Sequence, residues 1–486
     1  MTDPTSSAGT GPVAATTGTR GSDGAPVDVA PAPAGEPAFD AHHPPKAELV
    51  ADCVHCGFCL PTCPTYLLWG EEMDSPRGRI YLMNEGLQGE PMTPSMVQHF
   101  DACLGCMACV TACPSGVQYD ALIEATRGQV ERRYERPAGD KALRKAIFSV
   151  FPYPKRLRLL RGPLRAYQAT GLPKVLRRSG LLDRLSPTLA AMEALAPPLE
   201  RPERVPERSP AQGARRGVVG MLLGCVQREF FPGVNAATAR VLSAEGFDVV
   251  APASQGCCGA LSMHNGRDDE AQAFARRLID IFDAAGVDHV VVNSAGCGSS
   301  MKDYARLLED DPAYAARAER FSAMVRDVSE ILFEAGSVAP RHPLPVTIAY
   351  HDACHLGHAQ GVRAQPRALL REIPGLELRE IPEAEICCGS AGIYNVLHPE
   401  PARELGDRKA GNVLRTGASL LVTANPGCLM QVASSLQRQG SSIALAHTVE
   451  VLDASIRGLG VDTLVDPATA PLSTDRTAST PSTSRS

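Results

Sequence analysis

Two cysteine runs constrain this chain more than any other feature: Cys53-Val-His-Cys56-Gly-Phe-Cys59-Leu-Pro-Thr-Cys63-Pro and Cys103-Leu-Gly-Cys106-Met-Ala-Cys109-Val-Thr-Ala-Cys113-Pro. Each reads C-x2-C-x2-C-x3-C-P, the spacing that wraps three thiolates around one face of an iron–sulfur cubane. Thiolate is a soft donor suited to iron, and two-residue gaps let one tight loop offer successive sulfurs to successive irons. The fourth cysteine of such a run turns to the other cluster. The spacing therefore predicts two [4Fe–4S] clusters, one on Cys53, Cys56, Cys59 and Cys113, the other on Cys103, Cys106, Cys109 and Cys63. Zinc would use CxxC pairs set further apart. Disulfides need an oxidising compartment, and the N-terminus carries neither a charged n-region nor an apolar h-region. Gly57, Gly105 and Ala108 let the backbone approach the clusters.

The runs are thirty-nine residues apart, and between them Ile80, Leu82, Met83 and Leu87 suit a helix docked on the cluster region. Arg77 and Arg79 either offset cluster charge or begin a solvated helix. Residues 119–134 carry helical periodicity (Tyr119, Leu122, Ile123, Thr126, Val130). The first domain is thus expected to be helical, with cysteine loops between helices.

At 486 residues the chain has room for two or three domains, and a net charge of −6 gives no reason to expect nucleic acid. No apolar run is long enough to span a membrane. With sixteen cysteines and no export signal, the expected location is the cytoplasm, with the thiols used for metal ligation. Residues 1–46 and 466–486 are rich in small and polar residues and are expected to be disordered tails. Gly9-Thr-Gly11-Pro-Val-Ala14 follows no strand and contains a proline, so it is not read as a dinucleotide site.

Residues 141–192 hold twelve Lys or Arg against one acid, Asp183, interleaved with Leu157, Leu159, Leu160, Leu164, Leu172, Val175 and Leu176. Such a segment either lies on an anionic membrane or acidic partner, giving peripheral attachment at the cytoplasmic face, or is a solvated helical connector. Pro197, Pro198, Pro202, Pro206 and Pro210 then mark a linker.

The remaining eight cysteines form two copies of one pattern: Cys225, Cys257-Cys258-Gly259, Cys297, and Cys354, Cys387-Cys388-Gly389, Cys428. The internal gaps are 31 and 38 residues in the first copy, 32 and 39 in the second. A fixed period with matched cysteines means a duplicated unit. Strand-like runs at 218–223, 289–293, 346–350 and 419–423 each lead into a cysteine, with helical patterns such as 269–285 and 401–415 between them. That is parallel α/β layering, in which ligands bind beyond the carboxyl ends of the strands. Four thiols per copy suit a further cluster, a zinc ion or a redox-active Cys-Cys pair, against the plain alternative of buried structural thiols, and at least one copy is expected to hold metal. Copy two is favoured for its Asn425-Pro-Gly-Cys428 turn and neighbouring His355. His351, His355 and His358 near Cys354 could supply or orient ligands, but lone loop histidines are more often solvated, so they are left outside the ligand set.

Further stretches carry a resemblance over roughly residues 47–460: Pro76-Arg-Gly-Arg-Ile-Tyr-Leu82, Cys113-Pro-Ser-Gly116, Asn235-Ala-Ala-Thr-Ala-Arg-Val-Leu242, Gly256-Cys-Cys-Gly-Ala260, Ser294-Ala-Gly-Cys-Gly298, Cys387-Cys-Gly-Ser-Ala-Gly392 and Thr423-Ala-Asn425. With the cysteine runs, they resemble the glycolate oxidase iron–sulfur subunit family. The duplicated half is similar to the cysteine-rich CCG domain of heterodisulfide reductase, lactate-utilisation and anaerobic glycerol-3-phosphate dehydrogenase subunits. The resemblance implies an α+β multidomain chain: a helical two-cluster ferredoxin-like domain (47–140), a basic connector and Pro-rich linker (141–216), and CCG repeats at 217–340 and 341–465. It further implies electron transfer from flavoprotein subunits, which carry FAD and oxidise glycolate or D-lactate, towards a quinone-like acceptor. A subunit of a lactate, glycerol-3-phosphate or heterodisulfide-reductase-like complex is the alternative within that class, and a cluster-bearing redox sensor or scaffold the one outside it. The family's fuller pattern ends each copy in CxxC. Ser294 and Asn425 stand at the first of those positions, which argues against a noncubane cluster.

Overall fold

Helix starts in the first domain follow from hydroxyl–proline pairs. The Ser75 hydroxyl accepts from Gly78 N–H at 3.0 Å and opens the helix Pro76–Leu87, and Thr93 caps Pro94–Ala102 through Met96 N–H at 3.2 Å. The computed structural model describes residues 36–199 and 203–464, so most of both expected tails lies outside the described residues. Ile80, Met83, Val97, Phe100, Leu122, Ile123 and Val130 pack these two helices and Tyr119–Arg133 into one core. Residues 36–46, expected within the disordered tail, instead fold onto this domain. Ala38 and Phe39 are buried, Ala38 N–H bonds Glu90 O, and Asp40 pairs with Arg132 and Gln129. One aromatic anchor and one charged cap outweigh the small-residue composition around them.

The duplicated half forms two sheets of matching topology. The first has the order β1-β3-β2-β4-β5: β1 (Arg208–Ser209), β2 (Gly217–Met221), β3 (Phe247–Val250), β4 (His289–Val292) and β5 (Val325–Asp327). Only the short edge strand β1 is antiparallel. The second, wholly parallel, runs β7-β6-β8-β9: β6 (Thr347–His351), β7 (Glu377–Glu380), β8 (Leu420–Thr423) and β9 (Ala444–His447). Register is pinned centrally, with Val219 opposite both Val249 and His289, and Ile348 opposite both Leu378 and Leu420. In both copies the last residue of the fourth strand caps the following helix: Asp327 with Glu330, and His447 with Glu450.

The copies share a core. Helices Pro232–Ala244 and Thr448–Ile456 pack on each other, as do Val328–Ala335 and Ala364–Arg371. Val241, Leu242, Ile331, Val449 and Leu452 there join Met221 and Val291 of one sheet to Tyr350 and Val422 of the other. Each such side chain, fully buried, contributes about 1.5–3 kcal/mol. A chelating pair, Arg240 on Asp453 (2.7 Å and 3.0 Å), fixes the docking.

The connector runs through helices Ala138–Val150, Pro154–Ala169, Leu172–Ser179, Leu181–Leu185 and Pro187–Ala194. Part of its positive charge is spent inside the molecule. Arg144 is buried against Asp140 and Asp101, Arg158 pairs with Glu229, Arg177 with Glu193, and Asp183 receives Arg403. Leu157 is buried, whereas Leu159, Leu160, Leu172, Val175, Leu181, Leu185 and Leu189 are exposed. Among the described residues no helix is long and apolar enough to cross a membrane.

Candidate metal centres

Four short segments carry the eight cysteines of the first domain. Cys53, Cys56 and Cys59 lie on the loop after the helix Ala47–Ala51, and Cys63 ends that loop as the cap of Pro64–Trp69. Cys103 to Cys106 follow Pro94–Ala102, Cys109 lies in Ala108–Ala112, and Cys113 caps that helix's end. The structure brings Cys53, Cys56, Cys59 and Cys113 around one cavity of about 30 Å³, with Gly57 and Arg77. Cys63, Cys103, Cys106 and Cys109 surround another of about 20 Å³, with Arg79 and Tyr119. The fourth cysteine of each run thus sits with the other run's triplet.

The donor chemistry of both sites suits a soft, positively charged metal core. Burial pushes the Cys59 thiol up to about 11 and that of Cys109 well above the usual thiol range, with Cys106 and Cys103 adding to the latter. Such thiols ionise only when a cation compensates them. Cys103 is the exception. Burial opposes its ionisation, but Arg79 and Arg127, the Tyr119 hydroxyl (3.6 Å) and Gly105 N–H (3.3 Å) together hold it below the usual range. Arg79 is itself buried, donating to His99 O at 2.6 Å and to Asp74 at 3.2 Å, and Arg127 donates to Cys103 O at 2.5 Å. Arg77 donates to His55 O at 3.0 Å beside the first site. Neither Arg77 nor Arg79 is the start of a freely solvated helix.

The two sites differ in depth. Cys56 is exposed, with Val54 at 69% and Phe58 at 66% exposure on either side, whereas Cys63, Cys103, Cys106 and Cys109 are buried. The loop Cys103–Cys106 lines the second site on one face and, on the other, a cavity of about 250 Å³.

All eight cysteines of the duplicated half line that larger cavity. Each follows the carboxyl end of a strand: Cys225 after β2, Cys257 and Cys258 after β3, Cys297 after β4, Cys354 after β6, Cys387 and Cys388 after β7, and Cys428 after β8. Gly259 (φ +81°) and Gly389 (φ +85°) turn the chain there, and a side chain on Gly389 would stand 2.6 Å from Ala402 O. Sulfurs meet at 3.5 Å in Cys225–Cys257 and in Cys354–Cys387. Hydrogen bonds from Cys257 and Cys297 pull the Cys258 thiol well below its usual range, and those from Cys387 and Cys428 do the same for Cys388, with His351 adding to the effect. None of the sixteen cysteines is in a disulfide.

The copies meet across this cavity at the two positions where the sequence departs from CxxC. The Ser294 hydroxyl donates to Asn425 Oδ1 at 3.4 Å, and Asn425 Nδ2 donates to Cys428 Sγ at 3.5 Å. The first domain is fastened to both. Thr111 Oγ1 lies 2.7 Å from His358 Nδ1, Arg127 donates to His264 O at 2.9 Å, and Glu124 holds His264 and Arg306.

Sequence reasoning misplaced the histidines. His351 and His358 are buried, and burial lowers His358 to about 4, with Arg363 adding to the shift. Burial also lowers His355 to about 3, its ring lying 4.9 Å from that of His264. His355 and His358 are not solvated, because His264 of copy one and Thr111 of the first domain lie against their loop, and His351 ends β6 among Cys388 and Cys428 of its own copy. The roles of Arg127, Tyr119 and the Ser294–Asn425 contact had no local signal.

Comparison with known proteins matches this architecture part by part. Residues 49–117 match the 4Fe-4S dicluster domain, residues 139–196 the linker region of the glycolate oxidase iron-sulfur subunit, and residues 219–302 and 348–433 the cysteine-rich domain. The chain is 37% identical over 412 residues to the probable glycolate oxidase iron-sulfur subunit of Bacillus subtilis, covering 82% of this chain and 93% of the relative. It is 36% identical to the glycolate oxidase iron-sulfur subunit of Escherichia coli, covering 83% and 93%. Lactate utilization protein A of an Exiguobacterium strain is 31% identical over 242 residues, which is 49% of this chain and 98% of that one. The two glycolate oxidase relatives align over more than four fifths of this chain and nearly their own full length, and the chain belongs to the glycolate oxidase iron–sulfur subunit family.

Proposed function

We propose that this chain is the iron–sulfur electron-transfer subunit of a 2-hydroxy-acid-oxidising complex, with glycolate converted to glyoxylate, or D-lactate to pyruvate, on flavoprotein partner subunits. The observation that supports it is the series of sites: an outer set of four cysteines with Cys56 exposed, a buried set of four, then a thiol-lined cavity behind the shared Cys103–Cys106 loop. Cys53, Cys56, Cys59 and Cys113 would hold one [4Fe–4S] cluster, and Cys103, Cys106, Cys109 and Cys63 the other. Such a cluster, when bound, supplies reversible uptake of one electron. Arg79, Arg127, the Tyr119 hydroxyl and Gly105 N–H set positive charge and hydrogen bonds around Cys103. These favour added negative charge and so raise the potential of the inner site. The exposed edge at Cys56, flanked by Val54 and Phe58, is the face for a flavoprotein.

Oxidation of a 2-hydroxy acid to the 2-oxo acid releases two electrons and two protons, which is work for a flavin. Among the described residues no glycine-rich strand–turn–helix fingerprint for FAD is present, which supports placing FAD on the partner subunits. The acceptor is quinone-like. The exposed leucines of the connector, beside its cations, support peripheral attachment at the cytoplasmic face of the membrane. Glycolate is preferred over lactate because the match to lactate utilization protein A spans only half of this chain.

The test is a substrate screen of the co-purified complex with an artificial acceptor, beside this chain alone. The complex turns over glycolate or D-lactate and the lone chain turns over neither. Turnover by the lone chain, or a complex inert to every 2-hydroxy acid, would overturn the reading.

A further inference from the structure

The two copies are not chemically equivalent at their strand ends. In copy two a nitrogen donor joins the thiols: His351, the last residue of β6, sits with Cys388 and Cys428, their ligand atoms all within 4.8 Å of one another and all three residues buried. Both ring nitrogens of His351 are shut away from solvent and neither meets an oxygen or nitrogen partner, so the polar group left facing the ring is the Cys388 thiol. A buried imidazole normally satisfies at least one nitrogen, and a metal ion is the partner that a nearby thiol pair prepares for it. Copy one lacks this donor. The residue three before Cys225 is Leu222, as His351 is three before Cys354, and Leu222 packs in the apolar core beside Val250 and Val290.

We infer that copy two holds a single divalent ion of the zinc class on His351, Cys388 and Cys428, and that copy one does not. Imidazole with two thiolates is a borderline-soft set of the kind zinc takes. Bonds of about 2.3 Å to sulfur and about 2.0 Å to nitrogen place tetrahedral donors roughly 3.5–3.8 Å apart, so the observed spacing closes with side-chain adjustment alone. Asn425 Nδ2 stands 3.5 Å from Cys428 Sγ and orients that sulfur from outside the set. Cys388 and Cys428 line the shared cavity, so the fourth position is left to a water or to a molecule entering there. Cys354 and Cys387, 3.5 Å apart, remain a thiol pair outside this set. The assignment depends neither on the substrate of the complex nor on the clusters of the first domain.

Zinc and iron per chain, measured by elemental mass spectrometry on the anaerobically purified full-length protein, test it. The wild type carries about one zinc per chain, with a first shell of mixed nitrogen and sulfur at the zinc absorption edge. His351→Leu installs the residue copy one already uses, and Cys428→Ser removes a sulfur. Each lowers zinc at least tenfold and leaves iron unchanged, whereas Cys297→Ser in copy one changes neither. Retained iron also shows that a variant still folds, and if His351→Leu does not, Cys428→Ser and the edge spectrum decide. A zinc-free wild type, zinc retained by His351→Leu, an all-sulfur shell, or iron lost from the copy-two variants would overturn the assignment.

Discussion

Glu124 is a buried charged pin between the first domain and copy one, and its removal is expected to loosen that seam by a calculable amount. Its carboxylate is 7% exposed, lies 2.9 Å from His264 Nδ1, and takes a hydrogen bond from Arg306, which is 32% exposed. Burial works to raise its pKa, yet Arg306 and His264 pull it down to about 2 from 4.5. A depressed carboxyl contributes stability above the unfolded-state value and loses it as pH falls from about 4.5 towards 2. At neutral pH the full contribution is present, about 3 kcal/mol at 1.36 kcal/mol per unit. Gln at this position keeps the shape and one acceptor, so Glu124→Gln is expected to cost about 2 kcal/mol.

The cost falls on one interface, so amide hydrogen exchange reads it better than global unfolding. At pH 7.5 the Tyr119–Arg133 helix and residues 300–307 are expected to exchange about 30-fold faster in the variant, with the β6–β8 core unchanged. A cycle with Arg306→Met separates this pair from general damage, with an expected coupling of about 1.5–2 kcal/mol. Coupling below about 0.5 kcal/mol, or faster exchange spread evenly over the chain, would refute the pin.

Gly266→Ala tests the same seam sterically. Its φ is +73°, and a Cβ would lie 2.2 Å from Arg127 O and 2.6 Å from Gly128 N, so a loss of at least about 3 kcal/mol is expected in thermal unfolding. His447 is held neutral, burial lowering it to about 4 from 6.5. Its contribution is complete above pH 6.5 and is lost as pH falls towards 4, so about 2 kcal/mol is expected to go between pH 7.5 and pH 5. His447→Gln should flatten that part of the urea-unfolding profile. Cys113→Ser is expected to disturb the Cys53, Cys56 and Cys59 site and spare the nearer Cys103 site, with iron falling by about four per chain and reduced-state EPR losing its spin–spin interaction. Loss of the inner site's signal instead would show that the fourth ligands do not cross.

The legible parts were those whose physics is local. Cluster loops announce themselves because ligand spacing is a property of a dozen residues, and β2, β4, β6 and β8 because buried central strands are short apolar runs bounded by turns. The edge strand β7 reads Glu-Leu-Arg-Glu, β5 has three residues, and β9 is Ala-Leu-Ala-His, so none carries an alternation to recognise. Residues 36–46 were hidden by composition, since Phe39 and Asp40, two residues among many small ones, anchor them. His355 and His358 were misjudged because what covers them belongs to copy one and the first domain, and nothing within a few residues of them records that. His351 ends the central strand β6 and is buried with Cys388 and Cys428 of its own copy, which are distant in sequence.

The pooling of eight thiols was beyond sequence for a related reason, and it explains the missing fifth cysteine of each copy. A parallel α/β unit puts its cysteines at its own strand ends. It takes the packing of Pro232–Ala244 on Thr448–Ile456 to turn two such ends toward each other. The first CxxC position of each copy then falls on the contact between copies rather than on the cavity wall alone. Ser294 and Asn425 hydrogen-bond there, flanked by Ala295 N–H on Ala424 O at 3.2 Å and by His447 Nε2 on Asn293 O at 2.8 Å. Cysteine is a poor hydrogen-bonding residue for such a buried contact, and a hydroxyl facing an amide is a good one. These positions hold the copies together, and His351, on the neighbouring strand end, supplies copy two with a donor from a direction the cysteine pattern does not describe.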